Sequence, residues 1–422
     1  MDRIQTRSVV QLRLGTLALL ALVGLGFALR LYRLDAQSLW LDEGGTWAEV
    51  TRQSWGFLLA DLMRPTAAYP LYHLLLKGWI AIVGDSEWAL RLPSALAGTA
   101  LVLVTVLAAT EVHRHGKNAR YRLILPTLLA AISPYALWHA QDAKVYSLLM
   151  LVVALMLWAG LRYCRLQIAN YRLRWRSLAL VLAISVVSLF VHRLALLPAA
   201  GLLLALGITA GRTRPTIRTR FEAPGYWTVP RLVALALFGG ALASGVLGVA
   251  GLAGSVAPNG WQESGHSAAS PLQSVWLNLQ HFILDRGDIG GLFGLPLVVW
   301  MLPGLLLTVW GFVLLLRDTW RGNLPATLVL CMFAVPLLLF AAALIRTPVY
   351  EARYAAVAFP AWLLMCAWPV LQNKEQRTEN REQRTENREQ RTENRKQKNR
   401  EQRTENREQR TNDFMADQAL RL

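Results

Sequence analysis

The sequence has very little charge inside its apolar segments, and this scarcity argues against several classes of membrane protein. The apolar runs at 232–253, 293–316, 324–345 and 355–371 contain no ionisable side chain. Transporters and pumps usually carry acids or bases at mid-membrane depth. Cysteine is also scarce: there are three, with no CxxC or Cys/His spacing, so neither a disulfide framework nor a zinc finger is indicated.

The sequence also lacks the regular alternation of apolar and polar residues that is typical of membrane β-barrels. Apolar residues make up 54% of the 422 residues, and the mean hydropathy is +0.32. They form continuous runs of about 17–23 residues, which is long enough to cross a bilayer as helices. We therefore predict an all-α polytopic membrane protein with about ten transmembrane helices. The predicted spans are 12–29, 89–110, 123–140, 145–161, 177–192, 194–210, 232–253, 293–316, 324–345 and 355–371.

Basic residues are concentrated in alternate loops between these spans. The net charge is +17, and the loops at 113–122 and 162–176 are rich in Arg and Lys. With both termini in the cytoplasm, these loops fall on the cytoplasmic side, so the positive-inside rule explains the charge better than nucleic-acid binding does. The first span is then an uncleaved helix, and a long first outer loop carries interfacial helices at 54–63 and 70–83.

Apolar residues are missing altogether from the repeat near the end of the chain. From Glu375 the sequence repeats EQRTENR with a seven-residue period. A coiled coil needs apolar residues at two positions of each heptad, and this repeat offers none. We therefore predict a transmembrane domain at 1–372 and a disordered, charged cytoplasmic tail at 373–422.

The ionisable residues outside the tail and the basic loops gather at the outer ends of the predicted spans. Asp42 and Glu43 form an adjacent carboxylate pair in the first outer loop, after Trp40 and before Gly44-Gly45. Two acids beside a ring that can stack on a sugar indicate an active-site loop. The alternative is an interfacial helix that begins with acids. One carboxylate, with Asp42 preferred over Glu43, would act as a general base.

Further candidates lie in the other outer segments. Asp142 and Lys144 occupy a very short turn between two spans. Asp142 could hold an acceptor, tune the base, share a metal ion with Asp42, or cap the next helix. Arg91 opens one span and Arg353 precedes another. Either could bind a lipid phosphate through a bidentate fork, or snorkel to the lipid headgroups. Lys144 could serve the same phosphate as a point charge.

Three aromatic residues complete the set of candidate substrate-binding residues. Trp40 could stack on a sugar or an isoprenoid, Tyr354 follows Arg353, and His192 stands in a tight outer turn. Belt packing at the lipid interface explains Trp40 equally well, and Tyr354 and His192 are more typical of interfacial residues than of ligands.

Five segments, in chain order, carry a resemblance to a known family. They are RLDAQSLWLDE, PLYHLLLKGW, SEWALRLPSALAG, ISPYALWHAQDAKVYSLLML and ARYAAVAFPAW. Together they resemble the GT-C glycosyltransferases of the dolichyl/polyprenyl-phosphate-sugar family (glycosyltransferase family 39), which includes protein O-mannosyltransferases and lipid A aminoarabinose transferases. The resemblance implies a GT-C fold in a bacterial plasma membrane. It also implies an inverting transfer of a sugar from a polyprenyl-phosphate-linked donor to a lipid, glycan or protein acceptor at the outer face.

The sequence departs from the family pattern at two places that bear on the chemistry. Ala68-Tyr69-Pro70 stands where the family has His-Pro-Pro, and Lys144 stands where the family has Arg. The missing histidine leaves open whether a divalent metal ion takes part. Two other functions also stay open: a lipid-linked oligosaccharide flippase or transporter, and a non-catalytic membrane scaffold whose tail recruits partners.

Overall fold

Capping side chains mark where several of the apolar helices begin. The computed structural model describes residues 2–64, 67, 69–113, 119–166, 171–212, 267–268, 270–284, 297–345 and 349–371. Ser54 and Ser86 each accept a hydrogen bond from the third backbone N–H that follows, at 3.1 and 3.3 Å respectively. Asn323 does the same at 3.0 Å. These side chains satisfy N–H groups that have no partner within the helix.

The described chain is helical apart from turns and one short strand pair. The helices are α1 (Asp2–Leu31), α2 (Leu41–Arg52), α3 (Trp55–Asp61), α4 (Pro70–Val83), α5 (Glu87–Val112), α6 (Ala119–Arg122), α7 (Ile124–Ile132), α8 (Pro134–Ala140), α9 (Tyr146–Leu166), α10 (Tyr171–Val191), α11 (Leu196–Arg212), α12 (Pro271–Leu284), α13 (Leu297–Trp320), α14 (Leu324–Ala343) and α15 (Phe359–Leu371). Short 3-10 helices cover Arg193–Ala195 and Ala352–Val357.

Five of these helices are long and apolar enough to cross a membrane: α1, α5, α9, α13 and α14. They coincide with the predicted spans 12–29, 89–110, 145–161, 293–316 and 324–345. Shorter apolar helices, α10, α11 and α15, lie at the predicted spans 177–192, 194–210 and 355–371. The prediction of an all-α polytopic membrane protein is confirmed.

One span that was predicted as a single helix is bent in the structure. The run at 123–140 is not one straight helix, because α7 and α8 meet at a bend of 51° at Ser133-Pro134. Pro134 lacks the N–H that would continue α7, and it favours the first position of a new helix. The bent pair still counts as a sixth candidate span by length and composition.

The last predicted span is also shorter than its apolar run. The segment Ala352–Val357 is a 3-10 helix, and α15 begins only at Phe359. Almost every residue of α15 is buried, so this helix lies in the core of the unit. A Cβ atom at Gly311 of α13 would collide with the carbonyl oxygen of Met365, so the two helices approach closely there.

The core joins α5, α9, α14 and α15, which pack on one another. Two buried tryptophans of α15 are tied to α13 by hydrogen bonds. Trp362 donates to the Thr308 hydroxyl at 3.0 Å, and Trp368 donates to the Asp318 carboxylate at 3.1 Å. Because buried indole N–H groups need partners, these bonds fix the position of α15 against α13.

A short antiparallel strand pair joins two segments that are distant in the sequence. Ser267–Ala268 pairs with Val349–Tyr350, in the register Ser267 to Tyr350 and Ala268 to Val349. The second strand leads directly into the 3-10 helix that carries Arg353 and Tyr354. The pairing therefore ties the segment of Arg353 to the segment that leads into α12.

The helices above belong to one compact unit, Met1–Leu371. The predicted helices in the first outer loop are present as α3 and α4. The predicted span at 232–253 and the tail at 373–422 lie outside the described residues. The disorder of the tail, the domain division and the cytoplasmic position of both termini stay predictions.

Candidate active site

The carboxylate pair stands at the first turn of α2 rather than in a loop. The Glu43 carboxylate accepts the backbone N–H of Trp40 at 3.4 Å, as in a capping box. Gly44 and Gly45 lie inside the helix, and a Cβ atom at either would meet nothing within 4 Å. The segment predicted as an active-site loop is therefore the N-terminus of a helix. Acids in the first turn of a helix interact favourably with the helix dipole.

Glu43 is held by Arg91 of α5 in a buried, bidentate ion pair. Arg91 Nε donates to Oε1 at 2.8 Å, and Arg91 Nη2 donates to Oε2 at 2.6 Å. The Glu43 residue is only 1% exposed. Burial raises its pKa, but the hydrogen bonds from Arg91 and from the Ala143 backbone outweigh this effect and hold the pKa below its ordinary value.

The remaining donors of Arg91 go to backbone carbonyls of the segment before α2. Nη1 donates to Leu34 O at 2.9 Å and to Gln37 O at 2.8 Å, and Nη2 donates to Ser38 O at 3.2 Å. All five guanidinium N–H groups thus have partners within the chain. This arrangement favours a structural role for Arg91 over the predicted contact with a lipid phosphate.

The turn between α8 and α9 lies against this pair. The backbone N–H of Ala143 donates to Glu43 Oε1 at 2.7 Å, and Trp40 Nε1 donates to Asp142 Oδ1 at 3.1 Å. Burial, together with the nearby Glu43 carboxylate, raises the pKa of Asp142 to about 7. Trp40, predicted as a stacking platform, uses its indole N–H to hold Asp142.

Asp42 points away from Glu43 and pairs with a different arginine. Its carboxylate forms a short ion pair with Nη1 of Arg353, whose Nε lies 3.2 Å from the Glu351 carboxylate. The Asp42 side chain is 31% exposed. Arg353 also lies over the Tyr146 ring, 5.8 Å from its centroid. Asp42 is thus the more accessible acid of the pair.

Lys144 adds a second cation to the same region. The residue is 8% exposed, and its ammonium group has no hydrogen bond or ion pair to another described residue. Burial lowers its pKa, although Asp42 and Asp142 act in the opposite direction. A lysine side chain that is largely buried and has no direct partner among the described residues is suited to an anionic ligand.

His192 is buried and packs against two tyrosines. Its Nδ1 accepts the backbone N–H of Leu194 at 3.0 Å, and its ring centroid lies 5.7 Å from that of Tyr69 and 5.9 Å from that of Tyr146. Burial and the neighbouring Arg193 lower its pKa to about 3, so the ring is neutral. Tyr354 packs edge-on against Phe340 at 6.0 Å.

Two residues near the site were not singled out in the sequence. His73 of α4 places Nε2 3.1 Å from the Glu49 carboxylate of α2, and the His73 ring packs edge-on against Tyr69 at 4.8 Å. Glu49 follows Asp42 by seven residues, which is two turns along one face of a helix. That spacing was the signal that could have revealed it.

The structure thus brings together Trp40, Asp42, Glu43, Arg91, Asp142, Lys144 and Arg353, and it sets His192 and Tyr354 at the edge of this group. Among the described residues no three His, Cys, Asp or Glu side chains are grouped so that they could hold a metal ion. The described residues therefore do not form the divalent metal site that the sequence left open.

A cavity of about 220 Å³ lies next to the turn that carries Lys144. Its walls come from α4, α5 and α9, and they are almost entirely apolar. Ser94, one of its lining residues, donates a hydrogen bond to the backbone carbonyl of Lys144 at 3.1 Å. The lining residues are Tyr72, Leu75, Leu76, Trp79, Pro93, Ser94, Leu96 and Leu148.

Comparison with solved structures decides the fold. The crystal structure of ArnT from Cupriavidus metallidurans bound to undecaprenyl phosphate matches 83% of this chain with a TM-score of 0.51 and 16% identity. The apo crystal structure of the same protein matches 83% with a TM-score of 0.51 and 18% identity. This chain has the GT-C fold. The predicted fold is confirmed, and the protein is a multi-pass membrane protein.

The GT-C likeness covers only part of the neighbour. The match spans 59% of the ligand-bound ArnT chain and 58% of the apo chain. No protein-family model and no curated protein matches the sequence. The activity of this chain is accordingly argued below from its own residues.

Proposed function

We propose that this protein is a membrane glycosyltransferase that moves a sugar from a polyprenyl-phosphate-linked donor to an acceptor at the outer face of a bacterial plasma membrane. The observation that carries the proposal is the placement of an accessible carboxylate, Asp42, beside two cations, Arg353 and Lys144. A glycosyl transfer from a phosphate needs a base on one side and positive charge at the leaving group on the other.

The reaction begins with proton removal from the acceptor. Asp42 accepts the proton of an acceptor hydroxyl or amine while the acceptor oxygen or nitrogen attacks the anomeric carbon. The bond between that carbon and the phosphate oxygen breaks, and its electron pair stays on the phosphate. A single displacement of this kind inverts the anomeric configuration. The products are the glycosylated acceptor and the polyprenyl phosphate.

The two cations stabilise the leaving phosphate. Arg353 is held by Asp42 and Glu351, and Lys144 has no direct partner among the described residues. An arriving phosphate can therefore bind Lys144 without displacing a neighbour, and it can share Arg353 with Asp42. This sharing weakens the hold of Arg353 on Asp42, which makes Asp42 a stronger base when the donor is bound.

Glu43 and Asp142 have supporting parts in this scheme. Glu43, tied to Arg91 on one side and to Ala143 on the other, fixes the distance between α2 and the turn that carries Lys144. Asp142, with its pKa of about 7, stays partly protonated at neutral pH, which reduces repulsion between the three carboxyl groups. The apolar cavity beside Lys144 suits an isoprenoid portion of the donor.

The test is transfer of a radiolabelled sugar from a panel of synthetic polyprenyl-phosphate donors in membranes that contain the protein. We expect signal with one donor and its loss, by about 100-fold or more, in Asp42→Asn. The matched control is Asp35→Asn, an exposed acid in the same outer segment, which should retain activity. Full activity of Asp42→Asn would remove Asp42 as the base.

A flippase or transporter is the second class of function, and counterflow of a lipid-linked substrate in vesicles would support it. No feature of the described spans favours that function over transfer. The donor panel identifies the sugar.

A further inference from the structure

The break between α7 and α8 leaves backbone carbonyls without helical partners. Pro134 has no N–H to donate to the carbonyl of Ala130, and α8 starts anew, with Ser133 accepting from the backbone N–H of Ala136 at 3.4 Å. The last carbonyls of α7 therefore need donors from elsewhere in the chain, because an unpaired buried carbonyl is costly.

Arg30, near the end of α1, supplies those donors. Its Nη2 donates to Ala130 O at 2.9 Å, and its Nη1 donates to Ala131 O at 3.1 Å and to Gly26 O at 2.8 Å. The residue is completely buried. Within the described part of the chain no carboxylate lies within ion-pair distance of it, so the carbonyl dipoles are what balance its charge.

Glycine makes room for this guanidinium. A Cβ atom at Gly98 of α5 would lie 2.8 Å from Arg30 Nε and 2.7 Å from the Ala140 Cβ, and one at Gly26 would lie 3.2 Å from Arg30 Nη1. The two distances at Gly98 are too short for a Cβ atom unless a neighbour shifts, and the distance at Gly26 is tight, so α1, α5 and α8 pack closely around Arg30. The contact is a close-fitting site and not a chance approach.

Gln141 makes the reciprocal contact, from the end of α8 back to the end of α1. It is the first residue after α8, and its Nε2 donates to Leu29 O at 3.0 Å and to Tyr32 O at 2.9 Å, with Arg30 O at 3.5 Å. These carbonyls lie in the last turn of α1 and directly after it. The end of α1 and the broken α7–α8 pair therefore cap each other, through one side chain from each.

We propose that Arg30 and Gln141 form a reciprocal clamp that positions the turn at 141–145, so that Asp142 and Lys144 face Asp42 and Glu43. Gln141 directly precedes Asp142, and the backbone N–H of Ala143 reaches Glu43 at 2.7 Å. A turn held at Gln141 by α1 and at Ala143 by α2 has little freedom to shift its charged side chains. Both residues of the clamp are positioning residues, and their role in transfer rests on the proposed function.

The activity test compares the clamp variants with a control of identical chemistry. Gln141→Glu keeps the shape of the side chain but removes the N–H groups that three carbonyls accept. Gln273→Glu is the control, because the Gln273 side chain serves as an acceptor among the described residues, taking the backbone N–H of Ser270 at 2.9 Å through its Oε1. We expect kcat/KM for the donor to fall about tenfold or more in Gln141→Glu, mainly through KM, and to stay unchanged in Gln273→Glu.

Arg30→Met and Arg30→Lys extend the test to the other half of the clamp. Lys can still donate to the carbonyls of Ala130 and Ala131, so it should restore part of the donor affinity that Met loses. A merely structural residue would instead lower the amount of folded protein and leave KM unchanged. If Arg30→Met does not fold, Gln141→Glu carries the comparison alone.

Amide hydrogen exchange of the purified protein tests the clamp without any activity. Amides at 141–146 should exchange about tenfold faster in Gln141→Glu than in the wild type and Gln273→Glu. If the wild type transfers no sugar, the proposed function fails while this exchange still decides the clamp. If the wild type transfers sugar, and Gln141→Glu matches it in both KM and exchange, the clamp is overturned and the proposed function stands.

Discussion

Asp42 and Glu43 are adjacent in the sequence, yet each is held by a different arginine. Glu43 turns inward to Arg91 of α5, and Asp42 turns outward to Arg353 before α15. The separation assigns the two acids to different tasks. A buried carboxylate with a lowered pKa and two backbone donors is a poor proton acceptor, whereas a partly exposed one can meet a substrate.

The inward pair should matter for stability more than for chemistry. In Glu43→Gln the buried Arg91 loses its counter-charge, and breaking a buried pair in this way typically costs about 3–5 kcal/mol. We therefore expect a clear fall in the thermal unfolding midpoint of the detergent-purified protein. Glu87→Gln is the control, because Glu87 is an exposed acid at the start of the same α5. Equal midpoints for the two variants would contradict the structural role of the pair.

Lys144 should govern binding of the phosphate. In Lys144→Met a charge-assisted hydrogen bond to the leaving group is lost, so we expect KM for the donor to rise about 10- to 100-fold. Inhibition by free polyprenyl phosphate should weaken by a similar factor, because this product carries the same phosphate. Lys144→Arg keeps the charge and should recover most of the affinity. If Lys144→Met were inhibited as strongly as the wild type, Lys144 would not bind the phosphate.

The sequence was sufficient to predict the polytopic fold. It also predicted that the outer segments would share one site, which contains Asp42, Asp142, Lys144 and Arg353. These predictions depend on features of short sequence stretches, namely the long apolar runs and the motifs in their order. The structural role of Arg91 could not be predicted from such local patterns. Its partners include three backbone carbonyls of the segment before α2, and their approach to α5 is a product of tertiary packing.

The bend at Pro134 is a second feature that local sequence patterns did not predict. The apolar run at 123–140 is continuous, so hydropathy alone predicted one span. The bend becomes tolerable because Arg30 satisfies the carbonyls that the proline leaves open, and that arginine lies about 100 residues earlier in the chain. Hydropathy does not register such a distant partner.

Asp142 should make stability depend on pH in a defined direction. Its pKa is raised to about 7 by burial and by Glu43, so between about pH 4 and pH 7 the folded state holds a proton that the unfolded state releases. Its contribution to stability therefore falls as pH rises through this window and is constant above it. Asp142→Asn stays neutral at every pH, so its stability relative to the wild type should be greater at pH 8 than at pH 5.

The comparison of variant with wild type at each pH is needed because His192 titrates in the opposite sense. Its pKa is lowered to about 3, so it destabilises the fold as pH falls below its ordinary value. This contribution is common to both proteins and cancels in the difference. Unfolding midpoints at pH 5 and pH 8 provide the measurement, and a difference that does not change with pH would contradict the raised pKa.

Removing the tail should leave transfer intact. The residues proposed for catalysis all lie before residue 372, and the repeat from Glu375 has no apolar residue with which to pack against a membrane domain. We expect a chain that ends at residue 372 to transfer sugar with the KM and kcat of the full-length protein, measured in membranes that contain equal amounts of each. A version whose tail is shuffled in sequence at constant composition controls for charge near the membrane surface. If truncation abolished the function while purified, truncated protein still bound the donor, the scaffold interpretation would gain support, because the tail would then be recruiting a partner that the reaction requires.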